Sequence, residues 1–368
     1  MKYLIIRMYP NVLNIKSYNC QEIGLAKAMI RKGNQCDIVL YTDRNKNWDD
    51  EIIFDENRKI HVYYLKAKSI FKNAFFNKKL YELIKQYDIV QTAEYDQLGN
   101  IKLRRILGDK LVIYHGPYES EYTKGYKKKC VISDFIIKFH KDYKNTSCLS
   151  KSILATEFLR KKGFKNIKTV GVGLDDEKFK KAKDVTDLDF LRDKGKYRYL
   201  LYIGRLEERR NILFMFDVLK KVSENNKFIK LVIIGKGNKE YTEKCWNYAR
   251  KINVIDKVIY IESMNQENLP VIYKKCDIFL LPTKYEIFGM VLLESMYWGV
   301  PVITTVNGGS SCLINEKNGV VINNENNVDE WAKNIRKVIE NPYKYKENAK
   351  KTVRNGFLWD NLCEKFLE

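Results

Sequence analysis

Histidine is scarce in this 368-residue chain, with His61, His115 and His140 the only three, and its eight cysteines are scattered with no C-x-x-C pair among them. That combination argues against the usual zinc ligand sets and against a disulfide framework, so no metal is expected. A nucleophilic cysteine would need an activating base beside it, and the sequence pairs none; most cysteines read as small buried apolar residues. Long apolar runs are missing too. The longest candidate, residues 290–306, is interrupted by Glu294 and falls short of the roughly 18 residues of a bilayer span. The opening Met1-Lys2-Tyr3-Leu4-Ile5-Ile6-Arg7 has an early arginine and no small-residue cleavage site, so a cytoplasmic protein is expected. Neither half begins with G-x-G-x-x-G after its first strand, which disfavours a dehydrogenase.

Acidic residues are outnumbered, 46 against 67 lysines and arginines, which leaves a net charge of +21. So large a charge attracts acidic matter: nucleic acid, an anionic membrane or phosphorylated substrates. A general bias toward Lys, Ile, Asn and Tyr accounts for it equally well. No recognisable nucleic-acid-binding motif accompanies the charge, so nucleic acid is not an expected partner.

What the chain does contain is length and apolar residue. At 45% apolar it can fill two cores, and 368 residues exceed what one core usually serves. The first half alternates strand-like runs (2–6, 37–41, 60–65, 88–92, 110–115) with a helical pattern at 19–32, the signature of a parallel α/β sheet. Between Gly173 and Lys196 the pattern dissolves into charge. It restarts with Tyr199–Ile203, Leu231–Ile234, Val258–Ile261, Ile278–Leu281 and Val302–Thr304, near-continuous apolar runs suited to a second buried parallel sheet. Gly204, Gly235 and Pro282 sit just past strands, where ligands of open α/β sheets bind.

The most informative stretch runs from Leu281 to Ile303: strand end, loop, a helix from about Gly289, then strand. Glu286 lies in the loop and Glu294 in the helix, so both carboxylates can face one crevice and grip vicinal hydroxyls. Backbone N–H groups around Phe288 and Gly289 open that helix, where dipole and unpaired donors favour a phosphate. Two glutamates with seven residues between them also arise by chance in so charged a chain, as a solvated helix face. Upstream, Gly204-Arg205-Leu206-Glu207-Glu208-Arg209-Arg210-Asn211 follows a strand and opens a helix, so Arg205 and Arg210 can clamp phosphate; pairing with Glu207 or Glu208 is the alternative, and the better one for Arg209. His115 closes a strand ahead of the turn Gly116-Pro117, which places it at a crevice mouth, and the structural and functional readings of it stand level.

Together these segments resemble the retaining glycosyltransferases of family 4. Glu286-Ile287-Phe288-Gly289, Glu294 and Gly299-Val300-Pro301-Val302 fall in the family's register, and Gly204-Arg205-Leu206 is followed by Arg210 where lysine is usual and Asn211 where glycine is usual. Gly235-Lys236-Gly237, Val306-Asn307-Gly308-Gly309, Asn318-Gly319 and Val170 to Asp175 continue the likeness. The resemblance implies a GT-B fold: two Rossmann-like α/β domains with parallel sheets facing a central crevice and a C-terminal helix crossing back to the first. The expected division is an acceptor-binding domain 1–180, a linker 181–196, a nucleotide-sugar domain 197–350 and a terminal helix 351–368.

By the same resemblance Glu294 would bind the ribose, Glu286 the donor sugar, Arg205 and Arg210 the diphosphate, and His115 the sugar from the first domain. The base would lie near Ser263 and Met264. The donor would be a nucleotide-sugar substrate, with no cofactor and no metal, and the acceptor a saccharide or lipid-linked saccharide. The family's Gly-Gly loop after the opening strand is absent here, where the chain reads Asn14-Ile15-Lys16-Ser17-Tyr18, and Lys16 would supply by charge what that backbone supplies. Basic runs at Lys66–Lys79, Lys124–Lys129 and Arg160–Lys162 suit a lipid-diphosphate acceptor or peripheral contact with an anionic membrane, in bacterial surface polysaccharide synthesis. A nucleotide-sugar epimerase of the same fold is the alternative, with a basic nucleic-acid binder behind it.

Overall fold

The computed structural model describes residues 1–15, 20–121, 125–180, 188–193 and 195–368. The chain divides into two compact units, Met1–Gly173 with Trp359–Glu368, and Leu174–Leu358.

The strands of the first unit are β1 (Lys2–Ile6), β2 (Gln35–Tyr41), β3 (Trp48–Phe54), β4 (Arg58–Leu65), β5 (Ala67–Ile70), β6 (Asn73–Phe76), β7 (Ile89–Ala93), β8 (Leu111–His115), β9 (Ser147–Ser150) and β10 (Ile167–Thr169). Eight of them form one sheet in the order β10-β9-β8-β7-β1-β2-β4-β3, and β5 and β6 form a separate hairpin. All pairings in the large sheet are parallel except β3 on β4. The chain therefore winds outward from β1 in one direction and, starting again at β7, in the other. One face carries a core of Leu4, Ile6, Val39, Val90 and Leu111 under Leu80 and Leu103, and a second cluster gathers Ile113, Tyr126, Phe158 and Leu159.

The strand expectations at 2–6, 37–41, 60–65, 88–92 and 110–115 each correspond to an observed strand, shifted by at most two residues at an end. β3 was not foreseen. Its Trp-Asp-Asp-Glu-Ile-Ile-Phe sequence masks any apolar alternation, and as an edge strand with only β4 beside it, it keeps those carboxylates exposed, Glu51 pairing with Lys59 at 2.7 Å.

In the second unit β11 (Arg198–Ile203), β12 (Ile229–Ile234), β13 (Val258–Ile261), β14 (Ile278–Leu281), β15 (Val302–Thr305) and β16 (Gly319–Ile322) form an all-parallel sheet in the order β13-β12-β11-β14-β15-β16. Counted within the unit this is 3-2-1-4-5-6, the doubly wound Rossmann order, with its reversal between β11 and β14. Helices cover both faces, so β14 and β15 are buried at every residue.

The division falls at Gly173–Leu174 rather than near residue 180. The Leu174 N–H donates to the Phe357 carbonyl at 2.8 Å, and Phe179 packs on Tyr297 and Trp298 with ring centroids 5.4 and 5.9 Å away. Of the linker expected at 181–196, residues 181–187 and 194 lie outside the described residues; Phe190 is buried against Tyr199. Residues 351–356 complete the helix Pro342–Gly356 of the second unit, whereas 359–368 return to the first, where Arg31 pairs with Asp360 at 3.2 Å and Lys32 with Glu364 at 2.6 Å. Six of the eight cysteines are buried, and burial pushes the Cys245 thiol up to about 11. Among the described residues no helix is long and apolar enough to cross a membrane.

Candidate active site

Strand order decides where a site can form in the second unit. At the reversal between β11 and β14 the following loops diverge to opposite faces, which opens a crevice at the strands' carboxyl ends. Gly204 and the Arg205–Asn211 segment follow β11; Thr283–Gly289 follows β14.

Arg209 ties these two loops together. Its guanidinium donates to the Tyr285 carbonyl at 3.0 Å, and its own carbonyl accepts from the Lys284 N–H at 2.9 Å and the Thr283 hydroxyl at 3.2 Å; it also pairs with Glu207 at 2.8 Å. Asn211, where glycine is usual, holds the left-handed conformation at φ 56°, one that asparagine adopts at low cost, and starts the helix Ile212–Asn225. The result is contact between two predicted residues. Arg210 Nη1 lies 2.5 Å from Glu286 Oε2, with side chains only 14% and 16% exposed, and Arg210 Nε is buried with no hydrogen-bond partner. Arg205 is not part of this pair: it is 83% exposed and 3.9 Å from Glu207.

Gly289 turns the loop into the helix Met290–Tyr297 at φ 80°, where an added Cβ would stand 3.1 Å from Glu286 Cγ. Phe288 is buried beneath it. Glu294 is 2% exposed and accepts from the Tyr273 hydroxyl at 3.0 Å; burial first, and then that carboxylate, push the Tyr273 hydroxyl well above its ordinary range. Gly308 and Gly309 were noted in the sequence only as part of the resemblance, and the structure gives them a mechanical part. The Gly308 N–H donates to the Glu286 carbonyl at 3.0 Å, while a Cβ on Gly308 or Gly309 would meet the carbonyl oxygens of Ile287 or Phe288 at 1.7 and 1.8 Å. Asn307 anchors this brace, donating to Thr304 Oγ1 and the Thr305 carbonyl, both at 2.9 Å. A glycine pair just after a strand is the signal that marks such a turn. Ser263, exposed, and Met264, half-buried, follow β13 farther along the same carboxyl edge.

His115 ends β8 in the first unit and is fully buried, its Nδ1 2.6 Å from Glu94 Oε2. Its Nε2 is buried with no hydrogen-bond partner. Glu94 follows β7 at φ 52°, also accepts the Gly116 N–H at 3.0 Å, and was missed in the sequence although it too sits at a strand end. Burial alone would raise the Glu94 carboxyl, but the His115 ring, Lys151 and the Gly116 N–H hold it below its ordinary value. Lys16 lies outside the described residues.

The Glu94 pairing predicts a pH signature. An unfolded carboxyl titrates near 4.5 and takes up its proton before the folded one does. The stability it contributes is therefore complete above pH 4.5 and lost as pH falls through the lower folded value. Glu94→Gln should be less stable than the wild type by about 2 kcal/mol at pH 7. In urea titrations that gap should close below pH 4.5, and a gap independent of pH would contradict the ionised pairing.

Two doubly wound sheets, parallel throughout except for β3 on β4, make up the GT-B class of fold, which the superposed solved structures share. Residues 184–356, a little under half of the chain, match the family glycosyl transferases group 1, and the chain spans less than half the length of most of the curated relatives it matches. It is 31% identical over 174 residues to an uncharacterised glycosyltransferase of Methanocaldococcus jannaschii, a match covering 46% of this chain and 43% of that one. To the UDP-Gal:alpha-D-GlcNAc-diphosphoundecaprenol alpha-1,3-galactosyltransferase of Escherichia coli it is 28% identical over 293 residues, 76% of this chain and 74% of that one. Among solved structures, HepE of Anabaena in complex with UDP superposes with a TM-score of 0.74 at 13% identity, covering 100% of this chain and 98% of that one.

Proposed function

We propose that the chain transfers a sugar, with retention at the anomeric carbon, from a UDP-sugar to a saccharide or lipid-linked saccharide in bacterial surface polysaccharide synthesis. The observation that carries this reading is the Arg210–Glu286 pair at the switch point, with Arg210 Nε buried and unpartnered. An arriving diphosphate competes with Glu286 for the guanidinium, freeing the carboxylate for sugar hydroxyls. Arg205, exposed on the adjoining loop, is then available to the second phosphate, with the backbone N–H groups around Phe288 and Gly289 at the helix start. Glu294 takes the ribose, exchanging its bond from Tyr273, and His115 acts on the transferred sugar. Breaking the sugar–phosphate bond leaves positive charge on the sugar and negative charge on the departing diphosphate, and fixed cationic donors lower that barrier. UDP is favoured because it is the nucleotide in the HepE complex and in the name of the E. coli relative.

The test is a panel of UDP-, GDP- and ADP-sugars with the purified protein, reading thermal stabilisation and diphosphate release, with Glu294→Gln as the control that keeps a partner for Tyr273. UDP should stabilise the wild type, and the variant should require at least tenfold more nucleotide for the same shift. Isomerisation of the donor without release, or indifference to every nucleotide, would overturn the proposal.

A further inference from the structure

The helix Tyr126–Lys138 has one face in the core of the first unit and a second apolar face that is exposed among the described residues. Tyr126, Cys130, Ser133 and Ile137 are buried, whereas Val131, Ile132, Phe135 and, just past the end, Phe139 are exposed to 62%, 43%, 65% and 68%. On an ordinary surface helix these positions carry charge. Phe135 and Phe139, one turn apart, meet edge to face at 5.3 Å and form a ridge. The lysines stand around it: Lys127, Lys128, Lys138 and Lys141 are all exposed. Glu121 offsets only Lys127 of these, at 2.5 Å, and Asp134 pairs with Lys162 at 2.5 Å, so neither acid is spent on Lys128, Lys138 or Lys141.

The tip of the β5–β6 hairpin repeats the pattern. Ile70 and Phe71 are 49% and 71% exposed, flanked by exposed Lys66, Lys68, Lys72, Lys78 and Lys79. Phe71, Lys72, Lys128 and Ile132 all line one cavity of about 420 Å³, so the hairpin tip and the helix face are two banks of the same opening, with Glu94 and Asp96 also lining it. Contiguous apolar side chains of this size, rimmed by charge of one sign, mark an interaction surface.

We infer that this face docks on an anionic bilayer, with Val131, Phe135, Phe139 and Phe71 entering the headgroup boundary and the lysine collar resting on acidic lipid. Side chains exposed beyond 60% protrude, a shape that enters a soft phase, and a collar almost wholly of lysine complements a negative surface. The cavity then opens at the membrane surface, where the head of a lipid-linked acceptor is presented. The inference rests on the lipid-linked acceptor reading, but its test does not depend on turnover.

Co-sedimentation of the full chain with vesicles of phosphatidylcholine, alone or mixed with phosphatidylglycerol, decides it. Binding is expected only to the mixed vesicles and should weaken with salt. Phe135→Ser combined with Phe139→Ser should lower the partition at least tenfold. Lys128→Gln and Lys138→Gln should each lower it roughly fivefold. Phe135→Trp should show blue-shifted emission on the mixed vesicles. Stabilisation by UDP, measured in parallel, checks that each variant is folded and reports separately on the donor site. The inference is overturned if the wild type ignores the mixed vesicles, or if the serine variant binds them as well as the wild type does. It is equally overturned if the serine change converts a dimer into a monomer, which would make the face a contact between copies of this chain.

Discussion

Arg210→Ala is expected to lower the transfer rate about a thousandfold, the cost of removing a fixed donor from a site where charge develops. The guanidinium is 14% exposed and touches the Glu286 carboxylate at 2.5 Å, so its loss acts twice. On the proposed reading it deprives the departing diphosphate of a cation, and it also leaves a largely buried carboxylate uncompensated. Arg210→Lys keeps the charge but not the planar fork, and should recover part of the rate and little of the donor affinity. Because the two side chains are in contact, the double variant Arg210→Ala/Glu286→Ala should cost clearly less than the sum of the single losses. Measured kcat and donor Kd for the four proteins of this cycle test the assignment. A loss under tenfold in Arg210→Ala, or strict additivity, would remove Arg210 from the chemistry and leave the pair a structural contact.

Gly308→Ala should damage the same site without touching a charged group. An added Cβ would lie 1.7 Å from the Ile287 oxygen and 2.7 Å from its carbonyl carbon, and neither backbone atom can swing away as a side chain end could. The Glu286–Gly289 loop has to shift by more than about 1 Å, a displacement that costs on the order of a hundredfold in rate when it misplaces a positioning residue. Overpacking of this kind also destabilises by about 1–3 kcal/mol, which for a unit of this size lowers Tm by roughly 2–12 °C. Rates are therefore to be compared well below the transition, where the variant is folded. Gly356→Ala, in the same unit, where nothing lies within 4 Å of the new Cβ and φ is not in the left-handed region, controls for the backbone change alone. A Gly308→Ala protein with normal turnover would show that the brace does not set the position of Glu286.

Both sheets were legible in the sequence because parallel strands buried on two faces are written as continuous apolar runs, and β11, β12, β13 and β14 stand where Tyr199, Leu231, Val258 and Ile278 begin those runs, within three residues. β3 was not, because an edge strand with solvent on one side tolerates carboxylates at the positions that usually mark it. Arg210, Glu286 and Glu294 were picked out by residue type and by place relative to strand ends, features that local chemistry carries. Glu94 offered the same signal, a carboxylate just past an expected strand, and was passed over because its partner His115 stands 21 residues further on at the end of the adjoining strand β8.

The sequence by itself determined the elements and their class: where strands begin, which loops follow them, and which of those loops carry arginine, glutamate or histidine. These follow from side-chain periodicity and backbone preference, which act over a few residues. Only the tertiary structure decided that Arg210 meets Glu286 while Arg205 stays in solvent, that Gly308 presses on the Ile287 carbonyl, that Glu94 holds His115, and that Phe135 and Phe139 face water instead of a core. Each of those depends on strand order and on which face of a helix finds neighbours, and these are set by packing between segments far apart in the chain.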